Sequence, residues 1–339
     1  MKNKLNVGVI GLGVGAKHAH ALYLNKNVNL VSLCDFDNKK INIYKKIYKN
    51  CNFTNNSDDI FKNPNIDIVS IASYDNFHAK HILQAIKYNK HFFVEKPFCQ
   101  NINELNKICL NIKKKKKITF SCNLILRNNP SFVDLKKKIK TKKTGDIYYC
   151  EGDYNYGRIN KILNGWRGQI PFYSVVLGGA IHLIDIIIWL SNKKVQSVIA
   201  AGNKISTKNT NFKNYDLVSA LLKFEDGMVG KVSSNFASVT PHNHILTVYG
   251  TKSTFCYNNK IIKFYKSRDD LSLKQESSKF SNKQKSEILN SFIDSVYYQK
   301  DLKIVHENEI INLMSVCFAI EKSLKTNKWE KVKYINHSK

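Results

Sequence analysis

The feature that most constrains this chain lies within its first two dozen residues. Residues 5–10, Leu-Asn-Val-Gly-Val-Ile, are a short apolar strand candidate running directly into Gly11-Leu-Gly13-Val-Gly15-Ala16, and the residues up to 24 read as a helix. A strand that reaches a helix through so few residues must turn sharply. Glycine permits that turn and lets a ligand approach the backbone closely. The helix N-terminus then offers N–H groups and a positive dipole to an anion. A second strand candidate, 29–34, ends at Asp35, 24 positions beyond Gly11. This context is a dinucleotide fingerprint, with Gly11, Gly13, Val14, Gly15 and Ala16 at the pyrophosphate and Asp35 on the ribose hydroxyls. Ala16 is expected to be the small residue that lets helix pack on strand. A carboxylate at Asp35 repels a 2′-phosphate, so NAD is expected rather than NADP.

The pattern continues with a helical stretch at 38–48, a buried strand at 66–72, an amphipathic helix at 76–88 and a strand at 91–94 that ends at Glu95-Lys96-Pro97. Strands alternating with helices imply a doubly wound parallel sheet, an N-terminal Rossmann domain. After about residue 122 the pattern changes. Residues 147–156 alternate like a half-exposed strand, several strand-like runs separated by turns follow between 195 and 265, and helices are expected near 285–298 and 307–325. The fold class expected is therefore α/β, a Rossmann domain over 1–122 followed over 123–339 by an α+β domain for substrate binding and oligomerisation. That second domain is expected to carry a large, mainly antiparallel open sheet. The Lys/Asn/Ser-rich segment 267–285 reads as a mobile surface loop.

The formal charge of +28 raises nucleic acid or an anionic membrane as partner. Arginine occurs only at 127, 158, 167 and 268 against 50 lysines. A base-reading surface favours the bidentate arginine fork, so a solvated lysine surface is the expectation and a nucleic-acid partner is not. The eight cysteines show no CxxC spacing, which reads as reduced core thiols of a cytoplasmic protein, and no metal site is expected. His242 and His244 flank the start of a strand candidate without visible partner ligands. Residues 170–190 are apolar enough to suggest a membrane span, but Gly178, Gly179, His182 and Asp185 favour a buried helix at a functional site. The first residues carry no apolar run of signal-peptide length.

Several segments together resemble the Gfo/Idh/MocA oxidoreductase family: 7–18, 67–78, Glu95-Lys96-Pro97, Trp166-Arg167, 178–190 and Tyr249-Gly-Thr-Lys252. The resemblance implies NAD-dependent hydride transfer to or from a secondary alcohol or ketone of a sugar, cyclitol or nucleotide-activated sugar. It implies Lys96 as catalytic cation, also placed at cofactor and substrate, and His182 as proton donor or acceptor contacting substrate. A hydrogen-bonded core histidine steadied by Asp185 is the plainer reading of His182. Asp185 is assigned with the catalytic group. The resemblance places Ala72, Ser73, Asn76, His78 and Glu95 beside the cofactor, although Asn76 also suits a helix start. Asn123, Arg158, Trp166 and Arg167 are assigned to the substrate wall, with Arg127 in the same region; a packing tryptophan beside a surface arginine is the alternative for 166–167. The family signature has an aspartate four residues before the histidine, and here that position is Gly178. Tyr173 or Tyr156 is the candidate replacement. This departure keeps a non-catalytic dinucleotide sensor open as the alternative function. A homodimer or homotetramer is expected, from an apolar sheet face that no later helix covers and from family habit.

Overall fold

The computed structural model describes residues 3–115, 117–259, 261–269, 276–277 and 280–336. Of the segment expected as a surface loop, 270–275 and 278–279 lie outside the described residues, and helix begins at Asn282. The chain forms two compact units. The first comprises 1–125, 282–314 and 335–339, and the second 126–281 and 315–334. A single boundary at 122/123 therefore misses the return of the chain to its first unit.

In the first unit the elements are β1 Leu5–Ile10, α1 Gly15–Tyr23, β2 Val28–Cys34, α2 Asn38–Lys45, β3 Asn52–Thr54, α3 Asp58–Lys62, β4 Ile68–Ile71, α4 His78–Lys87, β5 His91–Val94, α5 Ile102–Lys113 and β6 Phe120–Cys122. The strands are parallel in the order β3-β2-β1-β4-β5-β6. All four residues of β4 are buried, as a central strand covered on both faces requires. Helix starts follow their sequence signals. Asp37 accepts from Lys39 N at the head of α2, and Asn101 accepts from Glu104 N at the head of α5 while Glu104 accepts from Gln100 N. The core stacks Phe92 on Phe120 at 5.0 Å, with Phe98 against both.

The second unit holds α6 Pro130–Lys140, β7 Ile147–Asn155, α7 Asn160–Leu163, α8 Trp166–Gln169, a π turn Val176–Ala180, α9 Ile181–Ser191 and the strands β8 Val195–Asn203, β9 Leu217–Phe224, β10 Val229–Asn235, β11 Asn243–Gly250, β12 Thr254–Asn258, β13 Ile261–Tyr265 and β14 Glu276–Ser277. Then α10, Asn282–Tyr298, returns to the first unit, where Phe292 packs on Phe93 at 5.7 Å. The chain crosses back within α11, Glu307–Thr326, and ends in β15, Glu330–Lys331. Among the described residues this sheet runs β14-β13-β12-β11-β7-β10-β9-β8-β15, antiparallel except for the pair β7 and β10. α9 lies against β7 at Gly152, where an added Cβ would sit 3.1 Å from Leu183 Cβ. The opposite face is mixed rather than wholly apolar, with Leu221 and Val229 exposed and Ile199 and Ile245 half-buried on it. It carries Tyr149 and Tyr249 donating to Glu151, and Asp153 bonded by Lys231 and Ser233. Among the described residues no helix is long and apolar enough to cross a membrane.

Candidate functional site

The glycine turn has the shape its residues predict. Gly11 has φ +90°, and a Cβ there would lie 2.3 Å from the carbonyl oxygen of Ala72, so β1 can turn beside β4 only with glycine. At Gly13 an added Cβ meets nothing within 4 Å, leaving open space above the backbone. The third small residue is one place earlier than expected. A Cβ at Gly15 would stand 2.9 Å from Ala72 Cβ and 3.3 Å from Val9 Cγ1, whereas Ala16 is only half-buried. Gly15, not Ala16, lets α1 pack on the sheet. Val14 is exposed at the head of that helix. The open ground at Gly13 beside a helix N-terminus fits a dinucleotide pyrophosphate.

Asp35, at the end of β2, is buried and holds this turn together. Its Oδ2 accepts from Leu12 N at 2.6 Å and its Oδ1 from Asp37 N at 2.9 Å, with Lys40 Nζ 3.5 Å from Oδ2. Each carboxylate oxygen has lone pairs to spare for a ribose hydroxyl. Phe36, the next residue, is 65% exposed and meets Tyr74 edge to face at 5.4 Å. An aromatic this open beside the ribose carboxylate can stack on a base; reading the acid alone overlooked it.

At the carboxyl end of β5, Lys96 stands between two anchored neighbours. Glu95 Oε1 accepts from Asn123 Nδ2 at 2.6 Å and lies 3.0 Å from His18 Nε2, while His18 Nδ1 lies 2.9 Å from Ser70 Oγ. Burial would raise the Glu95 carboxyl, but the bonds from His18 and Asn123 and the charges of His18 and Lys96 outweigh it and hold it below the usual carboxylate range. Asn123 thus commits its amide nitrogen to Glu95. Ser73 Oγ lies 3.0 Å from His81 Nδ1, and Asn76 is exposed in the short 3₁₀ turn Asp75–Phe77 without capping α4. His78 is fully buried with both ring nitrogens on backbone carbonyls. It has no surface for cofactor, which corrects its assignment.

In the second unit, His182 is buried in the first turn of α9. Both oxygens of the Asp185 carboxylate are engaged by one guanidinium. Arg127 Nε donates to its Oδ2 at 2.9 Å and the terminal guanidinium nitrogen to its Oδ1 at 2.7 Å, both side chains being 2% exposed. A bidentate pair this buried is framework, and the Arg127 guanidinium lies over Trp189, 5.5 Å from its ring centroid. His182 instead belongs to a ring cluster. His244 lies 5.9 Å from it, His242 lies 5.0 Å from His244, and Tyr154 touches all three. Of the two later histidines, His244 lies in β11 and His242 just before it. Their approach to α9 comes from the pairing of β11 with β7, invisible in local sequence. Among the described residues no group of three histidine, cysteine, aspartate or glutamate side chains is placed to hold a metal ion.

The space at Gly178 is filled. A Cβ there would lie 2.1 Å from Tyr173 Oη, and Tyr173 is 2% exposed. Arg167 Nε donates to that hydroxyl at 3.1 Å and its guanidinium lies 4.5 Å from the Trp166 ring centroid. The Gly178-Gly179 pair sits in the π turn, supported by Ser174, whose hydroxyl accepts from Leu177 N and donates to the half-buried Glu321. Arg158 is exposed, its guanidinium over Tyr156. Gly178→Ala should therefore displace Tyr173 and cost about 1–3 kcal/mol, read as a lower denaturation midpoint; in a Tyr173→Ala background, where the clash is gone, the same change should cost much less.

Strand order, glycine turn and carboxylate together define the first unit as a dinucleotide-binding domain. Residues 5–123 match the family described as oxidoreductase family, NAD-binding Rossmann fold, and residues 132–256 match the GFO/IDH/MocA C-terminal domain. The chain belongs to the Gfo/Idh/MocA oxidoreductase family. It is 23% identical over 269 residues to myo-inositol 2-dehydrogenase of Thermotoga maritima, covering 75% of each chain. Its fold is similar to that of scyllo-inositol dehydrogenase from Lactobacillus casei with bound NAD(H) and scyllo-inositol (TM-score 0.81, 18% identity, 97% and 99% of the two chains). It is also similar in fold to levoglucosan dehydrogenase in complex with NADH (TM-score 0.85, 18% identity, 98% and 100%).

Proposed function

We propose that this oxidoreductase transfers a hydride between NAD and a secondary alcohol or ketone of a cyclitol or sugar. The observation that carries the reading is Lys96, fixed at the carboxyl end of β5 in the unit whose glycine turn fits a dinucleotide. Ligands bind at that end of parallel strands. When bound, NAD supplies the hydride acceptor or donor. Lys96 orients the substrate oxygen and stabilises the negative charge that develops there. His182 takes or gives the oxygen's proton, a task suited to an imidazole near neutral pH. Asp185 serves His182 only by fixing α9 through Arg127. Trp166 and Arg167 form wall, and Arg158 is the arginine free to face an anionic group. The substrate class is favoured by the cyclitol and sugar dehydrogenases among the relatives. Assay of purified protein with NAD against a panel of inositols and sugars should give reduced nicotinamide with at least one; cofactor binding without turnover on any would leave the sensor reading in its place.

Preference for NAD over NADP rests on Asp35. A 2′-phosphate beside that carboxylate costs several kcal/mol, which is about 10²-fold in kcat/KM. Asp35→Ala should collapse the preference to within about tenfold, chiefly by weakening NAD and relieving NADP; an unchanged ratio would remove Asp35 from cofactor choice. We also propose a cytoplasmic homodimer or homotetramer. Its eight cysteines form no disulfide, in keeping with a reducing compartment. The half-exposed sheet face with Tyr149, Glu151, Asp153 and Lys231 is the surface offered for self-association, and light scattering at the monomer mass would contradict it.

A further inference from the structure

The turns that follow β4 and β5 are joined by one side chain. His78, the first residue of α4, is 0% exposed. Its Nδ1 lies 2.6 Å from the carbonyl oxygen of Pro97 and its Nε2 3.0 Å from the carbonyl oxygen of Ser73. Carbonyl oxygens only accept, so each contact requires a ring N–H, and a neutral imidazole has one. Both ring nitrogens therefore face backbone acceptors, one in each turn. Away from water such contacts are stronger than in solvent. His81, the neighbouring imidazole, makes no such bridge. Burial first and the charge of His78 second push it down to about 4, and it contacts Ser73 through the hydroxyl instead.

We infer that His78 is a positioning residue for Lys96: by bridging the carbonyls of Ser73 and Pro97 it fixes the spacing of the two strand-end turns that carry Ser73 and Lys96. Glu95, held by His18 and Asn123, anchors the residue before Lys96, and His78 anchors the residue after it. With no exposed surface, His78 touches neither substrate nor cofactor and acts only through the backbone it holds. The inference rests on the reading of Lys96 as the catalytic cation, and a double-mutant cycle separates the two.

His78→Phe keeps a ring of similar size and removes both ring nitrogens. Misplacing a catalytic group by about 1 Å costs on the order of 10²-fold, so kcat should fall about 10–100-fold in the otherwise native enzyme. In a Lys96→Ala background the same change should cost less than about twofold, because the group it positions is gone. Equal losses in both backgrounds, or no loss in the native one, overturn the inference while leaving the Lys96 reading intact. Full turnover by Lys96→Ala alone overturns both. If His78→Phe does not fold, His78→Gln, which keeps a polar group at the bridge, decides: the inference expects a kcat loss that shrinks to less than about twofold in the Lys96→Ala background, and an equal loss in both backgrounds, or none in the native one, overturns it.

Discussion

Lys96→Ala should lower kcat about 10³-fold, the scale found when one preorganised charge-stabilising group is removed from an active site, with the Kd for NAD changed by less than about threefold. The asymmetry follows from where the residue stands. The glycine turn and Asp35, which hold the cofactor in this account, make their own contacts with β1, β2 and β4 and do not depend on Lys96. Glu95 keeps its bonds to His18 and Asn123 in the variant. Stopped-flow kinetics with a saturating substrate, alongside calorimetric titration of NAD, measures both quantities. Loss of NAD affinity in step with kcat would make Lys96 a cofactor residue. Unchanged kcat would remove it from the chemistry.

The second large effect is on stability. Arg127→Ala leaves the Asp185 carboxylate, 2% exposed, without the guanidinium that engages both its oxygens. Removing one partner of such a buried pair costs about 3–5 kcal/mol, a large share of the roughly 5–15 kcal/mol by which domains are held folded. Urea denaturation followed by circular dichroism should show a much lower midpoint. Replacing both residues by apolar ones, Arg127→Met with Asp185→Leu, should cost far less than the sum of the single changes. A loss below about 1 kcal/mol for Arg127→Ala would contradict the framework role given to Asp185 and return it to the catalytic group.

Local pattern carried much of the fold. The strand His91–Val94 and the helices of the parallel sheet lie where spacing of apolar residues puts them, because a buried parallel strand reads as a short apolar run and its crossover helices as amphipathic ones. Motif reading placed Gly11, Gly13, Asp35 and Lys96 at turns where open α/β sheets bind ligands. What escaped it depends on partners remote in sequence. Gly15 took the packing role given to Ala16 because Ala72, on another strand, sets which small residue α1 needs. Asp185 was read from its neighbour three positions away, whereas its partner Arg127 is 58 positions away. Tyr173 was named with Tyr156 for the place of the family aspartate, and its hydroxyl, 2.1 Å from an added Cβ, fills the space at Gly178. His78 looked like a cofactor contact because it follows a strand end; burial and two carbonyls gave it a different part.

The central claim, hydride transfer rather than dinucleotide sensing, is tested most directly by isotope. The protein is incubated with NADH carrying deuterium at the reactive ring carbon and with a cyclitol or sugar ketone, and the product is read by mass spectrometry. The account predicts one deuterium on the product's carbinol carbon, with the rate of labelling sharply reduced in Lys96→Ala. Cofactor binding with no label in any product, across the panel, would contradict it.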